Sequence, residues 1–133
     1  MPKLAFAAPY VVSASLIIVG VIHLLPLAGL LGTDRLAVLY GIAVDETNLA
    51  ILMRHRAALF GLLGGFMVYA AARPALQSIA LLGGFISLAS FLWLACATGG
   101  YNAQLGRVFA IDCVALGLVL TGAVFKLLST NAP

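Results

Sequence analysis

Apolar positions fill four long blocks of this chain, residues 9–31, 49–71, 75–98 and 103–128, and polar residues collect in the short stretches between them. A helix rises about 1.5 Å per residue, so about 20 apolar residues cross the roughly 30 Å of hydrocarbon in a bilayer. Each block is long enough, and the pattern predicts four membrane-spanning helices in one domain covering residues 1–133. The second and third blocks meet at Arg73–Pro74, and the third and fourth at Gly99–Asn102. Links this short make antiparallel neighbours. The longest connection, Gly32–Thr47, is polar at its ends and apolar from Leu36 to Val44. It is expected to lie at the membrane surface as a short helix or hairpin, with Tyr40 at the interface. The predicted fold is therefore all-α: an integral membrane antiparallel four-helix bundle with a short outer cap segment.

Local signals refine the boundaries. The first block is longer than the 7–15 apolar residues of a secretory signal core, which favours an uncleaved span. Pro26 removes a backbone donor and is expected to kink or unwind the last turn of that span. Asp45, Thr47 and Asn48 are candidate N-caps for the second span, and Asn102 for the fourth.

Charge inside an apolar block costs roughly 2.5 to 3.5 kcal/mol per residue, so each instance needs a reason. Arg54, His55 and Arg56 begin the second span, His23 sits in the first and Asp112 in the fourth. At about 100° per residue, Arg54 shares a face with Ala58, Gly61 and Gly65, and Arg56 shares one with Leu59, Phe60, Leu63 and Met67. Small residues favour close helix approach, so Arg54 is expected inward and Arg56 to snorkel outward. Ala80, Gly83, Gly84, Ser87 and Ser90 make a second small face, expected to dock on Gly61 and Gly65. Counting about 1.5 Å per residue, Asp112 lies roughly 15 Å past Asn102, Arg54 roughly 9 Å past Asn48, and His23 roughly 13 Å before Gly32. His23, Arg54 or Arg56, and Asp112 thus fall in one polar layer, with His55 a further candidate. Arg107 lies opposite Asp112 and is expected among headgroups. The layer reads either as a salt bridge that fixes helix order, or as the lining of a cavity that binds a head group or relays a proton. Trp93, Tyr101 and Tyr69 read as interface anchors.

Composition agrees with lipid. The chain has 133 residues, 64% hydrophobic and 8% charged, and a mean hydropathy of +1.18, against about half apolar and a quarter charged for soluble domains. The net charge of +3 is scattered over segment ends. Without a basic run to track a phosphate backbone, nucleic acid is not expected as a partner. Lys3, Arg73 and Lys126 share one side, which favours both termini in the cytoplasm. Cys96 and Cys113 occur without CxxC, HxxxH or ligand spacing, so no metal site is expected and both thiols read as small buried apolar groups. Nucleophile elbow, phosphate loop and paired carboxylates are missing from the sequence, and no catalytic residue is assigned.

The stretches RHRAALFGLLGG at residues 54–65 and GRVFAIDC at residues 106–113, in a chain of four short spans, resemble the DoxX-like group of small bacterial membrane proteins. That resemblance implies a multi-pass protein of the bacterial inner membrane, accessory to a redox complex. The functional expectation is a non-catalytic accessory subunit, or a binder of a lipid or quinone-like molecule through the Arg/Asp/His layer. Its partners would be membrane lipids, a larger membrane complex or a second copy. The alternatives are a small dimeric transporter or proton-coupled carrier, in which Asp112 changes protonation, and a membrane enzyme using His23 or His55 as base.

Overall fold

The structure, a computed structural model, describes residues 2–130, with side chains from 6 to 129. It is a bundle of helices: α1 (Pro2–Leu24), α2 (Thr33–Tyr40), α3 (Thr47–Ala71), α4 (Gln77–Thr98) and α5 (Ala103–Thr130), with a 3₁₀ segment, Leu25–Leu31, continuing from α1. Among the described residues four stretches are long and apolar enough to cross a membrane, and α1 together with the 3₁₀ segment makes one of them. The four long helices form a ring in chain order, α1 against α3, α3 against α4, α4 against α5 and α5 back on α1. The start of α1 and the end of α5 therefore lie at one end of the bundle, and α2 caps the other. Large side chains such as Leu62 (72% exposed) and Trp93 (69% exposed) point away from the bundle. In water such a surface would drive association, whereas in lipid it is the contact surface.

Pro26 acts more strongly than expected. It has no N–H to give to the preceding turn, and α1 stops at Leu24, giving way to 3₁₀ winding over seven residues rather than one loosened turn. The tighter winding bonds carbonyls three residues back and so keeps the backbone satisfied in a region with little water. The connection that follows is helical from Thr33 to Tyr40 and ends on Gly41, whose φ of 65° suits only glycine readily and whose N–H reaches Ala37 O at 2.8 Å.

None of the three expected caps starts α3. Glu46 does, its carboxylate accepting from Asn48 N at 2.8 Å and Leu49 N at 2.7 Å. Its longer side chain curls back over the first turn, and these bonds, first that of Asn48 and then that of Leu49, hold its pKa below the usual carboxylate value. Asn102 caps α5 as expected, accepting from Leu105 N at 2.8 Å.

The packing face of α3 is rotated from its expected position. Ala57, Gly61, Gly64 and Met67 are buried, while Gly65 is exposed with open space where a side chain would go. The partner also differs. A Cβ on Gly64 would lie 2.6 Å from Gly20 O and 3.0 Å from Leu24 N, so this glycine meets the backbone of α1, and Gly61 receives Leu27 of the 3₁₀ segment. The small face of α4 fits elsewhere, Gly84 taking the tip of Met67 and touching Val119. Ser90 and half of Gly83 remain outside it. Cys96 and Cys113, expected inside, are exposed on the outer surface.

At the end opposite the cap, a buried side chain that the sequence reading passed over joins all four long helices. Gln77, 5% exposed, donates to Ala71 O at 3.1 Å and to Ser13 Oγ at 3.4 Å. Ser13 Oγ also donates to Ala71 O at 2.7 Å. Lys126 Nζ donates to Gln77 Oε1 at 3.1 Å and to Pro74 O at 3.0 Å. Carbonyls left over at the end of α3 and in the turn after it are thereby satisfied.

Two outcomes test this frame. Gly64→Ala should destabilise the detergent-solubilised protein by about 1–3 kcal/mol through overpacking, whereas Gly65→Ala should leave it unchanged or add up to about 1 kcal/mol of helix propensity; thermal unfolding of the pair reads the contrast. Because the Glu46 pKa is depressed by folding, its cap is intact above the ordinary carboxylate value and is lost as pH falls through the depressed one. Amide exchange at Asn48 and Leu49 should accelerate relative to mid-helix amides over that acidic window in the parent protein and show no such pH dependence in Glu46→Gln.

Candidate functional site

Beneath the cap, α1, the 3₁₀ segment, α2, α3 and α5 leave a cleft of about 80 Å³. Leu36, Tyr40 and Val44 form a small core of their own, and Leu36 occupies the space over Gly29. Asn102 ties this cap down a second way, donating to Tyr40 O at 2.9 Å and Gly41 O at 3.2 Å. Tyr40, expected at the membrane interface, is instead buried with its ring lining the cleft. The apolar side chains around it make α2 a lid rather than a surface helix.

The polar layer assembles with one exchange of partners. Arg56, expected to snorkel outward, is half-buried and lines the cleft with His23 and Asp112. Its guanidinium carbon lies 5.1 Å from the centre of the Tyr40 ring and 4.7 Å from that of Phe60. Cation–π attraction to two rings offsets part of the cost of desolvating this charge. Arg54, expected inward, is exposed and donates from Nη2 to Leu30 O at 2.9 Å, satisfying a carbonyl of the 3₁₀ segment. His55 is exposed and outside the cleft. Arg107 is exposed, as expected of a residue opposite Asp112.

His23 is 2% exposed. Nδ1 lies 2.9 Å from Val19 O and Nε2 lies 3.1 Å from Ser87 Oγ. A carbonyl only accepts, so Nδ1 carries a proton, and the neutral ring then accepts at Nε2 from the Ser87 hydroxyl. Both nitrogens are spoken for, and what the imidazole offers the cleft is its ring, which packs 5.5 Å from Phe60. Val19 O thus sets the tautomer, and Ser87, predicted only as a packing residue, adapts its hydroxyl to the nitrogen left over.

Arg56 acts on Asp112 through its charge across the cleft, and among the described residues no salt bridge joins the two side chains. Every fully buried side-chain nitrogen or oxygen among the described residues has a hydrogen-bond partner, and the half-buried Asp112 lines the cleft. Ile22, Leu25, Pro26, Leu39 and Ile111 supply the apolar walls. The chemistry on offer is a fixed cationic donor, a carboxylate acceptor and hydrocarbon contact around both. The volume suits a compact head group or several waters and is well below the roughly 300–1,000 Å³ of pockets that enclose a drug-sized ligand. Among the described residues no three His, Cys, Asp or Glu side chains cluster as metal ligands.

The interface aromatics sit outside the cleft: Trp93 is exposed, Tyr101 stacks on Phe109 with centroids 5.8 Å apart, and Arg73 lies over Tyr69 at 5.2 Å. Compared with known proteins, the chain matches no family model, no curated protein and no solved structure.

The tie at Asn102 is open to a direct check. Asn102→Ala removes an N-cap and both bonds to the cap, so local opening of α2 should rise by about tenfold, read as faster tryptic cleavage after Arg35 with the global unfolding temperature little changed.

Proposed function

We propose that this multi-pass membrane protein binds a lipophilic molecule with a compact polar head, of lipid or quinone-like chemistry, in the cleft beneath the cap. The observation that carries this reading is the placement of Arg56 and Asp112 on one small, apolar-walled cleft. A head-group carbonyl or anionic oxygen accepts from the guanidinium, which the Tyr40 and Phe60 rings hold in place. A head-group hydroxyl donates to Asp112. The hydrocarbon part of the ligand follows the apolar walls outward into the bilayer.

In this reading the role is non-catalytic. His23 is a brace, both its nitrogens being engaged, and no nucleophile stands beside a free base in the cleft. The DoxX-like resemblance adds a setting: a bacterial inner membrane and a redox complex as partner. The basic residues Lys3, Arg73 and Lys126 at the end where α1 starts and α5 finishes support placing that end in the cytoplasm.

The test is equilibrium binding of a short-tailed benzoquinone, its quinol and a medium-chain fatty acid to the purified protein in nanodiscs. At least one probe should saturate a single site. Arg56→Gln should weaken that binding by at least about tenfold, the loss of a charge-assisted hydrogen bond, while Arg107→Gln, outside the cleft, should leave it unchanged. Saturable binding by none of the three, or equal binding to Arg56→Gln, would overturn the reading.

A further inference from the structure

The wall of the cleft beneath the cap carries two charges of opposite sign, Arg56 from α3 and Asp112 from α5. Its other polar residues, His23 and Tyr40, add no charge, and Arg54, His55 and Arg107 lie outside the lining. The pair is not closed on itself. No nitrogen of Arg56 comes within 4.0 Å of an Asp112 oxygen, and the guanidinium meets Tyr40 and Phe60 through their rings. Among the described residues neither the guanidinium nor the carboxylate has a hydrogen-bond partner. His23 cannot supply one, because Nδ1 is held by Val19 O and Nε2 by the Ser87 hydroxyl. The cleft is therefore balanced in charge and unfilled in hydrogen bonding.

Two consequences follow from the chemistry of the pair. A guanidinium only donates and a carboxylate only accepts, so a group seated between them must accept from one side and donate to the other. A hydroxyl does both with a single oxygen. A ketone or an ether accepts from Arg56 but leaves Asp112 without a donor, and an ammonium serves Asp112 but faces the guanidinium with more N–H groups. The second consequence concerns charge. Asp112 lies roughly 15 Å of helix past Asn102, about half the hydrocarbon thickness. An ion brought to that depth leaves the cleft with one unbalanced charge, which is costly there, whereas an uncharged head keeps the balance.

We infer that the cleft selects an uncharged amphiphile whose head carries a hydroxyl, the oxygen accepting from Arg56 and its hydrogen going to Asp112. This rests on the reading of the cleft as a ligand site and narrows its occupant. Anionic and cationic heads are both discriminated against, and so is a neutral head that lacks a donor.

Equilibrium binding to the full chain in phosphatidylcholine nanodiscs at neutral pH tests this with decan-1-ol, 1-methoxydecane, decanesulfonate and decylammonium. Each affinity is referred to the probe's concentration in the bilayer, so that partitioning cancels. Decan-1-ol should saturate one site and bind about tenfold more tightly than any of the other three, the scale of one hydrogen bond to a charged group. Asp112→Asn should abolish that lead and make decanesulfonate the tightest probe, and Arg56→Gln should do the same for decylammonium. Such opposite changes of preference do not arise from loss of the fold, which weakens all four probes together; where a variant does not fold, the order in the parent protein decides. Equal or tighter binding of the ether or of either ion by the parent overturns the inference while the cleft stands as a ligand site, and so does failure of the matching ion to gain in both variants. Saturable binding by none of the four overturns the inference and the ligand-site reading together.

Discussion

The arrangement turns on the bare backbone contact between Gly20 of α1 and Gly64 of α3. In lipid, helices gain little by hiding apolar side chains from hydrocarbon, and association rests on close packing and interhelical hydrogen bonds. Gly64 lets the two backbones approach until a Cβ would collide with Gly20 O. One turn further along, Gly61 accepts Leu27, so the same face of α3 holds both the straight part of span one and its unwound continuation. His23 then comes to rest against Phe60 and Ser87. The depth at which the polar layer forms is thus set by a contact between residues with no side chains.

The cleft is a second consequence of how span one ends. A regular helix through residue 31 would run past α3 as a smooth cylinder and leave no recess. With Pro26 in place the chain narrows into 3₁₀ winding, Arg54 satisfies a carbonyl of that winding, and α2 folds back over the gap. Arg56 can enter the space because two aromatic rings meet its charge. Neighbouring arginines two residues apart on α3 therefore do different work, one holding backbone and the other facing a carboxylate.

Much of this was legible in the residues. Block length and short polar links expose four antiparallel spans, Asn102 marks the start of α5, Pro26 marks the unwinding, and counting along each span brings His23, Asp112 and an arginine to one depth. What stayed hidden was rotation about the helix axes. A membrane helix is apolar on nearly every side, so periodicity does not say which face is inside; small residues alone choose it, and the pair Gly64–Gly65 offers two choices nearly 100° apart. Choosing Gly65 turned Arg54 inward and Arg56 outward. Tyr40 was misplaced because a tyrosine flanked by apolar residues reads alike as an interface anchor and as a lid. Glu46 was overlooked as a cap because shorter side chains stand on both sides of it. Gln77 gave no signal, since its partners are backbone carbonyls and a lysine 49 positions away.

That last network has a bearing on how the protein is made. Ser13, Gln77 and the carbonyl of Ala71 can meet once three spans have entered the membrane, but Gln77 Oε1 and Pro74 O receive Lys126 only after the fourth span has been synthesised. The Gly20–Gly64 contact requires only the first two spans. Assembly in the bilayer accordingly has a built-in order, with the pair that shapes the cleft joined early and the opposite end closed only by the fourth span.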